Sequence, residues 1–221
     1  MSSLLTALCA NAEAVACPDC ATSRAVWSEV GANSPGSTLA ILSLAFCVVA
    51  GLIVLSARLM SRSRVLFGGS LLLGAGLGAF LDGIALHQVL QWHAMLSSTL
   101  APLDLVSSKV NMFWDGVFHL YSWVATVVAI AIVVQEIPKA APEVRRKALC
   151  GGALAGWGFF NLVEGLIDHQ IFGLHHVHPG PDELAWDVAF LVSGLVLIVL
   201  GFAIALPVLR EAGVRTRRPG L

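Results

Sequence analysis

Apolar residues in this chain gather into five long stretches separated by short polar segments. The stretches fall at about residues 38–59, 66–91, 112–135, 147–171 and 184–209. A helix needs about 20 apolar residues to cross a hydrocarbon core, and each stretch meets that length. The pattern therefore predicts an all-α integral membrane bundle of five transmembrane helices. The first stretch, Leu39 to Leu55, has no ionisable side chain except Cys47, which predicts a lipid-facing anchor. Gly74/Gly78 and Gly152/Gly156 repeat at a spacing that lets helix backbones approach each other, a weak signal because glycine is common in membrane helices.

Composition agrees with this reading. The chain is 57% hydrophobic and 12% charged, whereas an ordinary soluble domain is roughly a quarter charged. A soluble globular enzyme and a disordered chain are both excluded. The formal net charge of −1 leaves no electrostatic footprint for nucleic acid. Placement of the basic residues is more informative. Arg58, Arg62 and Arg64 follow the first stretch; Lys139, Arg145, Arg146 and Lys147 follow the third; Arg210, Arg215, Arg217 and Arg218 follow the fifth. The alternate segments hold only Arg24 and Lys109, a count of 11 against 2. Lys and Arg are retained on the cytoplasmic side, so the expected topology has the N-terminus outside and the C-terminus inside. Trp92, Trp114 and Trp186 fall near the expected outer ends, where interfacial tryptophans belong. Residues 1–36 are then an extracytoplasmic segment, 37–210 the membrane domain and 211–221 a basic cytoplasmic tail.

The N-terminal segment has a short apolar run with no basic residues before it, so no cleaved signal peptide is expected. A surface helix is expected instead. It carries Cys9, Cys17 and Cys20, the last two as Cys17-Pro-Asp-Cys20. Such a pair serves as a redox dithiol, half a metal site or a plain disulfide, and outside the cytoplasm the disulfide is the default. There is no second C-x-x-C to complete a four-thiolate zinc site.

Because charge is scarce, its exceptions carry weight. Asp82, Asp115, Glu164, Asp168 and Asp187 lie within expected spans with no Lys or Arg beside them. A carboxylate at a bilayer centre costs about 2.5–3.5 kcal/mol on insertion scales, so something must compensate for five. All seven histidines lie between residues 87 and 178, and the expected topology brings His87, His93, His119, His169, His175, His176 and His178 to the outer side with these acids. Helical spacing refines the grouping. Asn111, Asp115 and His119 form one polar stripe, and Asn161, Glu164 and Asp168 form another. Asp82 and His93, eleven residues apart, share a face if the second helix continues, and His87 lies off that face.

Carboxylates and imidazoles drawn from several helices are what a bound metal needs. The mixture favours zinc or iron over copper(I), which prefers sulfur. Asp115 and His119 have ligand-pair spacing, whereas the Glu-x-x-His signature of di-iron bundles is absent, because Ile167 stands three residues after Glu164. The expected metal ligands are Asp82, His87, His93, Asp115, His119, His169, His175 and His176, with Glu164 and Asp168 as catalytic carboxylates. A metal-free proton pathway and a purely structural polar network are the other readings of the same residues.

These residues carry a resemblance. Gly78-Ala-Phe-Leu-Asp82-Gly83-Ile-Ala-Leu-His87-Gln88-Val-Leu-Gln-Trp92-His93, Asp115-Gly-Val-Phe-His119, Gly156-Trp157-Gly-Phe-Phe-Asn161-Leu-Val-Glu164-Gly-Leu-Ile-Asp168-His169, His175-His176-Val and Trp186-Asp187 resemble a bacterial family of multi-pass membrane proteins with a domain of unknown function. The resemblance covers about residues 66–205 and implies residence in the bacterial inner membrane. It brings only a loose association with cytochrome-oxidase assembly and copper handling.

Two functional classes follow. One is a membrane metalloenzyme, either a zinc hydrolase with Glu164 as general base or an iron or copper oxidoreductase acting on a membrane-soluble substrate. The other is a copper or zinc carrier that serves a periplasmic metalloprotein partner without turnover, with Cys17 and Cys20 acquiring the metal. Ion conduction is disfavoured because the cytoplasmic halves of the spans lack relay groups. No serine-hydrolase elbow is present.

Overall fold

The computed structural model describes residues 18–32 and 62–216, all in helices and their connections. The stretch at 38–59, Cys17 and the end of the basic tail lie outside the described residues. Five α-helices are described: α1 Pro18–Ala32, α2 Arg62–Leu81, α3 Leu105–Glu136, α4 Pro142–Glu164 and α5 Glu183–Thr216. Two of them continue as wider π-helices, α2 into Asp82–Val89 and α4 into Gly165–Ile171. Four spans are long and apolar enough to cross a membrane: Ser63–Val89, Leu105–Lys139, Pro142–Ile171 and Glu183–Arg210. They begin and end close to the four later apolar stretches. The apolar run before Cys17, where a surface helix is expected, lies outside the described residues; within the same segment α1 is described, and its Trp27 packs edge-on against Phe113 of α3 with ring centroids 5.4 Å apart.

Helices α2 and α4 run side by side in the same direction, and small residues set their distance. A Cβ at Gly74 would collide with the backbone of Ala153, and one at Gly156 with the backbone of Leu71. At this approach two backbones touch directly, and dispersion plus the absence of trapped side chains holds them together. Each of the pair then turns back through a loop into its own partner, α2 into α3 and α4 into α5. The first loop is the longer, and its end is fixed by Asp104, whose carboxylate accepts from the backbone N–H groups of Val106 and Ser107 at 2.7 and 3.0 Å. These bonds satisfy the free donors that open α3 and hold the Asp104 carboxyl below the usual carboxylate range.

The expected face shared by Asp82 and His93 is not formed. The helix leaves α geometry at Asp82 and ends at Val89, and Gln91 takes a positive φ of 52° that turns the chain away. A π-helix bonds each residue to the fifth one along, so residues five apart stand one above the other. Asp82 and His87 therefore share a face, and His87 lies at the centre of the polar layer instead of off it.

Candidate metal centre

Both π-segments aim an acid and a histidine into the same space. On the first, His87 Nε2 stands 3.2 Å from Asp82 Oδ2. On the second, Glu164 and His169 have the same five-residue spacing. Beyond each π-segment the chain returns a further histidine, His93 and His175, whose rings stack 4.7 Å apart at 11°. Asp82, His87, His93, Glu164, His169 and His175 are each between 0 and 5% exposed. Met95, Leu96, Val110 and Leu174 form an apolar cap beside them, backed by Val26 and Val30 of α1.

Hydrogen bonds decide which nitrogen each ring offers. His93 Nδ1 donates to the Val177 carbonyl at 2.7 Å, and His175 Nδ1 donates to the Met95 carbonyl at 3.2 Å. A carbonyl can only accept, so the proton is on Nδ1 and, in the neutral ring, Nε2 keeps a free lone pair. His87 Nδ1 donates to Asp115 Oδ1 at 2.9 Å, and His169 Nδ1 faces Asp187 Oδ1 at 3.3 Å. All four Nε2 atoms, Asp82 Oδ2 and both oxygens of Glu164 are buried without a well-formed hydrogen bond, although His87 Nε2 and His175 Nε2 stand 3.2 and 3.5 Å from Asp82 Oδ2 and Glu164 Oε1. A buried polar group left unsatisfied costs about 1–3 kcal/mol, so a partner shared by several of these atoms would be strongly favoured. The ligand atoms fall into three overlapping triplets, each within 4.8 Å: His87, His93 and His175; Glu164, His169 and His175; Asp82, His87 and Glu164. Imidazole and carboxylate grouped at these spacings could hold a metal ion.

Burial pushes His93 down to about 4 and holds His175 well below the usual imidazole range. Both are neutral at pH 7 and can act as ligands. The unfolded chain takes up these protons first, at about pH 6.5. Stability of the metal-depleted protein is therefore expected to fall as the pH drops from about 6.5 towards about 4. A melting temperature that is flat across this window would contradict the buried, neutral assignment.

The centre is built twice. Asp82-Gly83-x-x-x-His87-Gln88 and His93 recur 82 residues later as Glu164-Gly165-x-x-x-His169-Gln170 and His175. Trp114-Asp115-x-x-Phe118 recurs 72 residues later as Trp186-Asp187-x-x-Phe190. The contacts repeat with the residues. Asp115 accepts from the Met95 N–H and Asp187 from the Val177 N–H, at 2.9 and 3.0 Å. Gln88 reaches Asp115 and Gln170 reaches Asp187. His87 packs on Phe118 and His169 on Phe190, with centroids 5.9 and 5.5 Å apart. The crossed contacts, Gly74 with Ala153 against Gly156 with Leu71, and His93 with Val177 against His175 with Met95, are those of two units related by a two-fold axis. Because α2 and α4 run parallel, that axis lies along the helices, as in parallel-repeat membrane proteins.

The other expected residues stand outside the triplets. The Asp115 carboxylate turns to His87 and Met95 and does not pair with His119. His119 Nδ1 donates to the Asp115 carbonyl at 2.7 Å, and its ring packs near Phe80 and Phe118. His176 Nδ1 donates to Asp187 Oδ2 at 2.7 Å. Asp168 has no counterpart in the first repeat, where Leu86 stands, and its Oδ1 is buried without a partner. Asp187, which faces His169 and accepts from His176 and Val177, is a residue of this layer that spacing alone did not assign to the site. The repeated Trp-Asp-x-x-Phe is the signal that identifies it.

Fold and site together define a polytopic helical membrane protein with an internally duplicated histidine and carboxylate centre. Residues 69–207 match the family described as "Predicted membrane protein (DUF2243)", and the chain belongs to that family of membrane proteins of unknown function. No curated protein and no solved structure gave a match.

Proposed function

We propose that the chain is an integral membrane metalloprotein of the bacterial inner membrane and that its centre, in the periplasmic half of the bilayer, makes it a metal-dependent enzyme. The observation that carries the reading is the set of four imidazole Nε2 atoms, each buried without a well-formed hydrogen bond, its Nδ1 facing an acceptor. The outward orientation rests on Lys139, Arg145, Arg146, Lys147 and Arg210, which stand at the helix ends away from the centre. His87, His93, His169 and His175 would hold the metal with Asp82 and Glu164, and Asp115 and Asp187 would orient the rings. The donors include no thiolate, which favours zinc or iron over copper(I). When bound, such an ion supplies a Lewis acid for hydrolysis or a redox centre for oxygen chemistry on a membrane-soluble substrate.

Glu164 belongs to the ligand set, which leaves Asp168 as the carboxylate able to move a proton. It sits one residue before His169, outside the triplets, with Oδ1 buried and free. Metal delivery to a periplasmic partner fits less well, because donors this deeply buried exchange a metal slowly. Metal analysis of the detergent-purified full chain, prepared without chelators, tests the reading. Wild type is expected to retain zinc or iron, His93→Ala with His175→Ala to lose it, and Asp168→Asn to keep the wild-type content. Metal-free wild-type protein would overturn the proposal.

A further inference from the structure

The metal reading leaves open how many ions the duplicated centre holds, and three observations bear on the number. The first is Glu164. Both of its oxygens are buried without a well-formed hydrogen bond, and it is shared by two triplets, one with His169 and His175 and one with Asp82 and His87. A carboxylate whose two oxygens serve histidines of both repeats is placed to bridge.

The second is the spread of the donors. Around one six-coordinate ion with bonds of about 2.1 Å, even opposite ligand atoms are only about 4.2 Å apart. All six donors would then fall within a single 4.8 Å group. They instead form three overlapping triplets, and His87 and His169 share none of them.

The third is charge. Asp82, Glu164, Asp115 and Asp187 are four buried carboxylates, between 1 and 5% exposed, whereas the Lys and Arg side chains described at this end of the bundle, Arg24 and Lys109, are exposed. One divalent ion would neutralise two of them and two ions would neutralise all four. An uncompensated charge in this setting costs several kcal/mol, so the second ion removes a large penalty.

Resting on the metal reading, we propose that the centre is dinuclear: two divalent first-row transition-metal ions, one held by Asp82 and His87 and the other by His169 and His175, with Glu164, the one residue those two triplets share, bridging them. His93 completes the third triplet with one ring from each side, His87 and His175. Two ions across the interface of two repeats also account for the close approach of α2 and α4, which brings the two half-sites together.

The experiment uses the full-length protein in detergent, freed of metal and titrated with Co²⁺ as the probe. Two equivalents per chain are expected. The electron paramagnetic signal of the first equivalent should be attenuated by the second, because a shared carboxylate couples the two ions. Glu164→Gln is expected to lose that coupling and to bind the second equivalent at least tenfold more weakly. Should Glu164→Gln fail to fold, as judged by circular dichroism and elution as a single species, the wild-type titration still decides. One equivalent in wild type would overturn the dinuclear proposal and leave a single-ion centre standing. Two uncoupled equivalents would overturn the bridge, and no binding would overturn the metal reading as well.

Discussion

Gly156→Ala is expected to unfold the bundle at a temperature at least about 6 °C below wild type. A methyl group there meets the carbonyl of Leu71 and the backbone nitrogen of Ala75. A flexible side chain could rotate aside, but a backbone cannot, and relief requires α2 and α4 to separate along their length. Overpacking typically costs about 1–3 kcal/mol, and a collision with backbone falls at or above the upper end. In a chain of this size 1 kcal/mol is worth about 2–4 °C. Gly74→Ala should match it, since that methyl meets Ala153 in the crossed position. Gly116→Ala is the control: nothing lies within 4 Å of its Cβ position on α3, and alanine favours a helix by up to about 1 kcal/mol. Thermal unfolding in detergent by circular dichroism measures all three. Equal melting temperatures for the Gly156 and Gly116 variants would refute the close packing of the two repeats.

Asp115→Asn and Asp187→Asn are expected to weaken metal binding by about 10–100-fold each, the range for losing a carboxylate that orients a histidine ligand. Asp115 holds His87 at 2.9 Å and also accepts from the Met95 N–H. Asp187 stands 3.3 Å from His169 Nδ1, accepts from the Val177 N–H and takes a further bond from His176. Asparagine keeps one acceptor oxygen, so the fold is retained while the ring loses the negative charge that makes its Nε2 a strong donor. The two substitutions should act alike because the repeats do. Asp115→Ala should also lower stability by about 1–3 kcal/mol, since it leaves the buried Met95 N–H unpaired. Dissociation constants from competition with a chelating dye, compared with melting of the metal-free proteins, separate the two effects. Unchanged affinity in both asparagine variants would remove His87 and His169 from the ligand set.

The helical membrane class was legible because a bilayer imposes a length and a composition that any apolar stretch either meets or fails. Four stretches appear as spans, closely for Glu183–Arg210 against an expected 184–209 and with longer ends for Leu105–Lys139 against an expected 112–135. That the acids and histidines gather at one end was also legible, because topology alone carries Asp82, Asp115, Glu164 and Asp187 to the same side. The grouping within that layer was not, because α-helical spacing is the wrong ruler for it. Measured at 3.6 residues per turn, His87 lies away from Asp82, and His169 lies away from Glu164. The π-segments bring both pairs into line, and no local residue pattern announces a π-turn.

The sequence by itself determined the solvent, four of the spans and the polar end of the bundle, since these depend on residue type and on distance along the chain. It also contained the duplication, in residues that recur 82 and 72 positions apart. Only the tertiary structure decided what the duplication builds. It set α2 against α4 through Gly74 and Gly156, crossed His93 and His175 onto each other's loops, and turned Asp115 from His119 to His87. Those choices depend on packing between segments remote in sequence, where one missing methyl group decides whether two half-sites meet.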